Sequence, residues 1–186
     1  MKTENLERYL NSFGKYIVKQ SRTNLTKAKK ADTKGLYNSI NFKVVTDAKG
    51  FTVQFFMKDY GTFVDKGVSG TKKQRSYKDY TGKTVTSPYK FGTGSSLVGK
   101  AKGGMSGIMA KWVKRKGFQW RNKETGKFMS HKSMGYLIAR SIFSKGIKGI
   151  SFFQRPMQLG LKNFGKDILK ALKEDIIEGL NKATEK

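Results

Sequence analysis

The chain has no cysteine, one histidine, two prolines and only thirteen acidic residues among 186. Without cysteine it can form neither disulfides nor thiolate metal sites. The single histidine, His131, leaves no pair of imidazole ligands and little to serve as a general base. Because it lies between Ser130, a predicted helix cap, and Lys132, we expect it to be a solvent-exposed residue in the first turn of a helix. The acids are scattered and sit at ligand spacing only on the solvent side of the last predicted helix, which disfavours a Mg²⁺ or Ca²⁺ site.

Sequence motifs of common enzymes are also missing. The glycine-rich stretches at residues 92–96 and 100–104 lack the spacing and the preceding strand of a phosphate-binding loop, and no serine lies in a nucleophile elbow. We therefore expect neither an enzyme nor a bound cofactor or metal. No stretch of about 20 apolar residues occurs, and the first residues have no apolar run behind their charge. We expect a soluble protein made in the cytosol, without a membrane partner.

Positive charge is what the chain has in abundance. Its 39 Lys and Arg residues against 13 acids give a net charge of +26, and residues 66–145 hold nineteen of the cations but only two acids, Asp79 and Glu124. Clustered cations gain free energy by releasing the counterions condensed on nucleic-acid phosphates. An acidic protein surface would attract them for a similar reason, so the charge predicts an anionic partner and leaves its class open.

The first third of the chain has the pattern of a helix followed by a hairpin. Apolar residues recur every three or four positions over residues 3–30, which predicts an amphipathic helix. Asp32 and Thr33 are favourable N-cap residues for a short turn that would bring Leu36 into the core. Alternating apolar residues on both sides of a turn then predict a β-hairpin over residues 40–58.

The middle of the chain changes character. Residues 59–67 fit a strand or a short helical turn, whereas residues 68–106 combine many glycines with serine, threonine and lysine. So long a loop inside a compact domain is usually functional or ordered by a partner. We expect an extended arm there.

Regular structure is predicted again after the arm. Ser106 is expected to cap a helix that Gly117 ends, and the turn-like residues 122–126 separate two aromatic segments that fit a twisted hairpin. Ser130 is expected to cap a further helix that Gly146 ends.

A long helix is predicted at the end of the chain. Pro156 suits its first turn, where the missing N–H costs nothing. One apolar face, expected to close the core over the first hairpin, comprises Leu161, Phe164, Ile168, Leu172, Ile176 and Leu180.

These patterns predict an α+β fold, in which a small antiparallel β-sheet is packed by an N-terminal and a long C-terminal helix. Residues 1–67 and 147–186 are expected to form the core domain. Residues 68–146 are expected to be a large basic, glycine-rich insertion that contains a helix-hairpin-helix portion.

Three short motifs resemble those of one protein family. Residues 32–40 (DTKGLYNSI) are similar to D-T-G-x-L-x-x-S-I, with one extra residue before the glycine, and residues 60–67 end in V-D-K-G, similar to V-E-x-G with Asp65 in place of glutamate. Residues 152–156 (FFQRP) resemble a pair of aromatics before R-P and a closing helix. In this order, the motifs resemble the tail-completion or neck family, the small head-to-tail joining proteins of tailed bacteriophages. The long basic insertion departs from the compact members of that family.

The resemblance implies a structural virion protein of the phage neck, assembled in the cytoplasm of the host bacterium. Such head-tail connectors form a homo-oligomeric ring, six-fold or alternatively twelve-fold, that joins the portal-connector to the tail around the DNA channel. The motif residues would then be architectural: Asp32 would cap, and Gly35 and Gly61 would permit tight turns. Core packing is the first interpretation of Phe152 and Phe153 and an interface role the alternative. The implied interface or structural residues are Asp32, Gly35, Leu36, Tyr60, Gly61, Phe63, Phe152, Phe153, Arg155 and Pro156.

Two interpretations of the basic insertion follow from the resemblance. Its cations either contact DNA phosphates in the channel without sequence preference, or wrap an acidic connector or tail subunit and fold upon assembly. We slightly favour the second interpretation, and the interleaved aromatics suit interface contacts as well as base stacking. The predicted contacts are Lys72, Lys73, Arg75, Lys78, Lys100, Lys102, Lys114, Arg115, Lys116 and Arg121. A stand-alone basic nucleic-acid-binding protein is the competing class. A cationic toxin or nuclease is disfavoured, because clustered acids and histidines are missing.

Overall fold

The computed structural model describes residues 3–47, 50–91 and 104–184 and has the mixed helix and strand composition expected of an α+β protein. Long helices stand at both ends, and the small sheets are two-stranded. The helices are α1 (Glu4–Lys27), α2 (Gly35–Ser39), α3 (Gly61–Lys66), α4 (Gly104–Lys116), α5 (His131–Lys145), α6 (Gln154–Leu161) and α7 (Phe164–Thr184). The strands are β1 (Asn41–Asp47), β2 (Gly50–Phe56), β3 (Ser76–Lys78) and β4 (Thr84–Thr86).

The described residues form two compact units. The described residues within 1–65, 78–85 and 150–186 form unit 1, and those within 66–77 and 86–149 form unit 2. Charge is divided unevenly between these sequence ranges: those of unit 2 contain eighteen Lys and Arg residues against a single acid, Glu124.

Unit 1 is built on α1 and the β1–β2 hairpin. The apolar side of α1 buries residues at helical spacing, and the predicted hairpin is confirmed, with Val44 opposite Val53 in an antiparallel register. A Cβ placed on Gly14 of α1 would lie 2.2 Å from the ring of Phe42, so glycine permits the close packing of α1 on β1. The core contains Val18, Leu25, Leu36, Ile40 and Phe152.

Unit 2 is built on the pair α4 and α5. A Cβ placed on Gly135 of α5 would lie 2.5 Å from the backbone nitrogen of Ala110 in α4, so the absence of a side chain permits this contact. The predicted limits of α5 are confirmed: the Ser130 hydroxyl accepts a hydrogen bond from the Ser133 N–H at 3.1 Å, and Gly146 ends the helix with φ +73°. Gly117 likewise ends α4, with φ +67°.

The extended arm predicted for residues 68–106 is wrong for residues 68–91. That stretch contains the β3–β4 hairpin, and Val68 forms an antiparallel bridge with Ile147. The Ser87 hydroxyl also donates a hydrogen bond to the Gly67 carbonyl at 2.7 Å. Partners distant in sequence therefore order this glycine-rich stretch. Residues 104–106 belong to α4, so the prediction is wrong there as well, and residues 92–103 lie outside the described ranges.

Three predicted helix boundaries are wrong. The cap of α2 is Lys34, in a left-handed conformation with φ 53°, so Asp32 is not its N-cap. Helix α4 begins at Gly104, ahead of the predicted cap Ser106. The last helix is divided between α6 and α7, although Pro156 does lie in the first turn of α6 as predicted.

The hairpin predicted around residues 122–126 is present but short, and its hydrogen bonds join residues that are close in sequence. Its aromatic segments are joined by one antiparallel bridge, between Arg121 and Phe128. The Met129 N–H donates to the Trp120 carbonyl at 2.8 Å, which holds the two sides together.

Candidate interaction surfaces

The three motifs meet inside unit 1. Leu36 of the first motif and Phe152 of the third belong to the same buried cluster. A Cβ placed on Gly61, in the second motif, would lie 2.9 Å from Cδ1 of Leu36 and 2.6 Å from Sδ of Met57. Segments far apart in sequence thus share one core.

Asp65 ties the second motif to the third. Its side chain is only 2% exposed, and its Oδ1 accepts a hydrogen bond from the backbone N–H of Phe153 at 2.8 Å. Its carbonyl accepts another from the Ser151 N–H at 2.9 Å. Sequence reasoning noted Asp65 only as a replacement for glutamate and missed this anchoring role. The sequence did carry a signal for this role: an acid within the apolar stretch of α3, because a carboxylate that is buried there requires hydrogen-bond donors.

The predicted motif residues divide into a buried and an exposed set. Tyr60, Phe63, Arg155 and Asp32 are exposed and can contact a partner directly. The residues that are buried or half-buried and support the fold are Gly35, Leu36, Gly61, Phe152, Phe153 and Pro156.

The tight-turn role predicted for Gly35 and Gly61 is wrong, since neither has a positive φ. A Cβ on Gly61 would instead meet the ends of the Leu36 and Met57 side chains, so this glycine leaves room for their packing. The glycine of the second motif that needs its conformational freedom is Gly67, with φ +76°. A Cβ there would also lie 2.5 Å from the backbone nitrogen of Gly149.

Most of the predicted cationic contacts are exposed. Lys78 lies in unit 1, whereas the exposed cations of unit 2 include Lys72, Lys73, Lys114, Arg115, Lys116 and Arg121. Arg75 is half-buried, and its Nε donates to the Lys145 carbonyl at 2.8 Å, so it also supports the fold of unit 2. Lys100 and Lys102 lie outside the described ranges.

The densest group of cations follows the second half of α4, the Arg121–Phe128 hairpin and the start of α5. We call this group the basic surface: Lys111, Lys114, Arg115, Lys116, Arg121, Lys123, Lys127 and Lys132. The Arg121 guanidinium lies 4.6 Å from the centre of the Phe128 ring, which holds its charge in place. Phe118 and Trp120 are both exposed beside these cations. His131 is exposed at the start of α5, as predicted.

An apolar groove of about 420 Å³ lies in unit 1 between α1, β2, α6 and α7. It is lined by Leu6, Leu10, Phe13, Phe51, Val53, Phe55, Met157, Phe164, Ile168 and Leu172. On a side of α7 that does not line the groove, Leu169, Ile176 and Leu180 are exposed, and we call these three residues the α7 stripe. The prediction that the apolar face of the last helix closes the core is therefore only partly right. Ala171 and Asp175 are the buried residues of α7.

The pKa values of two half-buried groups of unit 1 are shifted from their ordinary values. Asp79 accepts from the Thr81 hydroxyl at 2.7 Å, and this bond, with smaller help from the Thr81 and Lys83 N–H groups, lowers the pKa of its carboxyl. Burial, together with the charge of nearby Asp167, raises the pKa of Tyr9. Through its hydrogen bonds with Thr81 and Lys83, the Asp79 carboxylate orders the turn between β3 and β4.

Comparison with protein-family models, curated proteins and solved structures found no match for this chain.

Over residues 3–47, 50–91 and 104–184, no group of three or more histidine, aspartate or glutamate side chains is placed to hold a metal ion. None of the helices in the same ranges combines the length and the apolar character needed to cross a bilayer.

Proposed function

We propose that this chain is a structural virion protein of a tailed phage: a neck, or head-tail connector, subunit that joins the portal-connector to the tail as a ring around the DNA channel. The observation that carries the proposal is that the three motifs converge on the core around Phe152. Residues 32–40, 60–67 and 152–156 are distant in sequence, yet Leu36, Gly61 and Phe152 take part in one packed region, and Asp65 bonds to Phe153.

A ring is tested by the size and shape of the purified protein. We expect native mass spectrometry to show one closed oligomer, six-fold or twelve-fold, and electron microscopy to show a central channel. We also expect the chain to enter particles of the phage that encodes it. A chain that stays monomeric and never enters particles would contradict the proposal.

Direct DNA binding by the basic surface is the second candidate, consistent with a stand-alone nucleic-acid-binding protein. Residues 68–91 are folded, which weakens the interpretation that the insertion wraps an acidic protein by folding on it. A preformed surface with fixed cations suits phosphates instead, and contact with phosphates alone carries no sequence information.

We expect this surface to bind a duplex of mixed sequence with an affinity that falls steeply with salt. If it neutralises about five phosphates, log K falls with log salt with a slope of about −4.5. The triple variant Arg121→Gln, Lys123→Gln, Lys127→Gln should make the slope shallower by about 2.7, whereas Lys43→Gln in unit 1 should not. Fluorescence anisotropy titrations at several salt concentrations measure both. Equal slopes for the triple variant and the wild type would exclude the basic surface as the DNA contact.

A further inference from the structure

Unit 1 also has a basic groove, separate from the apolar groove described above. It has a volume of about 500 Å³ and lies between α1, α2 and the start of β1. We call it the cationic groove, and its lining consists of Lys15, Val18, Lys19, Arg22, Thr23, Tyr37, Asn41 and Phe42. Three of these eight described residues are cations and none is an acid, so the lining itself does not balance the positive charge of the groove.

The three cations lie on the same side of α1. Lys15, Lys19 and Arg22 occupy positions i, i+4 and i+7 of the helix. The surface beneath them is apolar, because Val18 is buried and Phe42 is half-buried. A concave site with charge of one sign and walls of low dielectric constant focuses the electric field and attracts ions of the opposite sign.

Arg22 is held in place before any ligand arrives. Its Nε donates a hydrogen bond to the Tyr37 carbonyl at 3.1 Å, its Nη2 donates one to the Ile40 carbonyl at 2.8 Å, and its guanidinium carbon lies 5.3 Å from the centre of the Tyr37 ring. These two bonds occupy two of the five N–H donors of a guanidinium and leave three. Both acceptors are neutral carbonyls, so the half-buried charge of Arg22 is still without a counter-ion from the lining.

A phosphate monoester matches three cations better than other common anions do. It carries a charge of about −1.5 to −2 at pH 7 and offers three acceptor oxygens, so a single group can contact all three side chains. A carboxylate and a backbone phosphodiester each carry only one negative charge. The planar guanidinium is also well suited to phosphate, which it can bind through two parallel hydrogen bonds.

We propose that the cationic groove is a binding site for a phosphate monoester, in which Lys15, Lys19 and Arg22 contact the phosphate oxygens. The monoester is the terminal phosphate of either a free nucleotide or a nucleic-acid end. Val18 and Phe42 provide an apolar surface for the organic part of the ligand. The site consists of residues of unit 1, is separate from the basic surface of unit 2, and does not depend on the proposed ring.

The first test is a titration of the full-length protein with methyl phosphate, followed by TROSY NMR. We expect saturable shifts of the backbone amide signals of residues 15–23, Tyr37 and Phe42. Lys15→Gln with Lys19→Gln should weaken binding by about fivefold, because two exposed ion pairs with the phosphate are lost. Arg22 is left unchanged, since its bonds to the Tyr37 and Ile40 carbonyls also hold α2 on α1.

The matched control removes the same charge elsewhere in unit 1. Lys166→Gln with Lys173→Gln replaces two exposed lysines of α7 that do not line the groove, and it should weaken binding by less than about twofold. Circular dichroism should show unchanged folding in both double variants, because all four lysines are exposed. Equal weakening in the two variants would mean that only the net charge of the chain attracts the anion, and the proposed site would be wrong.

The second test uses the charge of the ligand. Methyl phosphate takes up a proton with a pKa of about 6, so its affinity should fall by about fourfold between pH 7.5 and pH 5.5, whereas the affinity of the sulfate dianion should not fall. Neither histidine nor an acid lines the groove, so the proton taken up in this range belongs to the phosphate. Dimethyl phosphate and succinate, as the diester and the dicarboxylate, should bind more weakly than methyl phosphate. Succinate that binds equally well would indicate an acidic protein partner and overturn the proposal.

Two further probes distinguish the sources of the monoester. One is AMP, and the other is a short DNA duplex compared with and without 5′-phosphates. Shifts of the groove amides with AMP but with neither duplex support a free nucleotide, and duplex shifts that require the 5′-phosphate support a nucleic-acid end. Equal groove shifts with the two duplexes would indicate contact with backbone phosphodiesters and would overturn the monoester site, while the ring would remain to be judged by its own test.

Discussion

Replacing Phe152 by alanine is expected to lower the free energy of unfolding by about 3–5 kcal/mol. Phe152 is completely buried, in a cluster with Leu25, Leu36 and Ile40. Truncation would remove a large apolar side chain and leave a cavity between α1, α2 and the start of α6. Because the free energy of unfolding of small proteins is only about 5–15 kcal/mol, this single substitution would remove a large part of it.

Urea unfolding followed by circular dichroism measures this loss, with Phe56→Ala as the matched control. Phe56 lies at the end of β2 in the same unit but is 49% exposed, so its truncation should cost less than about 1 kcal/mol. Both tryptophans of the chain, Trp112 and Trp120, lie in unit 2. A dichroism transition that moves ahead of the tryptophan fluorescence would place the damage in unit 1. Equal losses for the two alanine variants would contradict the central position of Phe152.

Local sequence patterns correctly predicted those elements of the fold that neighbouring residues determine. The alternation across residues 40–58 specifies the β1–β2 hairpin, and the Ser130 and Gly146 signals specify α5, because a cap or a turn is decided by neighbouring residues. The prediction for residues 68–91 was wrong for the opposite reason, because the contacts that fold this stretch are not local. Strands of three residues carry almost no alternation, and the bridge from Val68 to Ile147 joins positions that no local pattern connects.

The candidate surfaces were predictable to a similar extent. Composition located the positive charge, and the motifs located residues that the fold brings together. Periodicity showed that the last helix is apolar on one side, yet it could not show which apolar residues this chain covers itself. Ile168 and Leu172 border the groove, whereas Leu169 and Leu180 face solvent. That distinction depends on where α1 and β2 pack, which is a tertiary property.

Removal of the Asp175 carboxylate is the second change with a large expected effect. Helix α1 has no side-chain cap of its own at Thr3. Asp175 of α7 supplies one: its two oxygens accept hydrogen bonds from the backbone N–H groups of Asn5 and Leu6 at 2.9 and 3.0 Å, and the side chain is 2% exposed. A carboxylate at this position also interacts favourably with the helix dipole.

Asp175→Ala is expected to lower the free energy of unfolding by about 1–3 kcal/mol, since the buried N–H of Leu6 and the half-buried N–H of Asn5 lose their acceptor. Asp175→Asn should fall between alanine and the wild type, because one amide oxygen can still accept. Glu174→Ala is the matched control on the preceding, exposed residue and should be close to neutral. Urea unfolding at pH 7 ranks the four proteins, and a cost for Glu174→Ala as large as that for Asp175→Ala would contradict the capping role.

The same carboxylate predicts a dependence on pH whose sign follows from its environment. Burial by itself raises the pKa of Asp175, but the hydrogen bonds from the Asn5 and Leu6 N–H groups, with smaller help from the Asn5 side chain and the charge of Arg8, outweigh it and hold the pKa below the ordinary 3.8. A carboxyl whose pKa is lowered by folding contributes stability above its unfolded pKa and loses it as the pH falls through the folded value. The stability difference between the wild type and Asp175→Ala should therefore be constant from pH 7 to about 5 and shrink below about pH 4. Urea unfolding of both proteins between pH 7 and pH 3 measures it, and a difference that persists undiminished at pH 3 would show that the lost stability comes from packing and not from the charged cap.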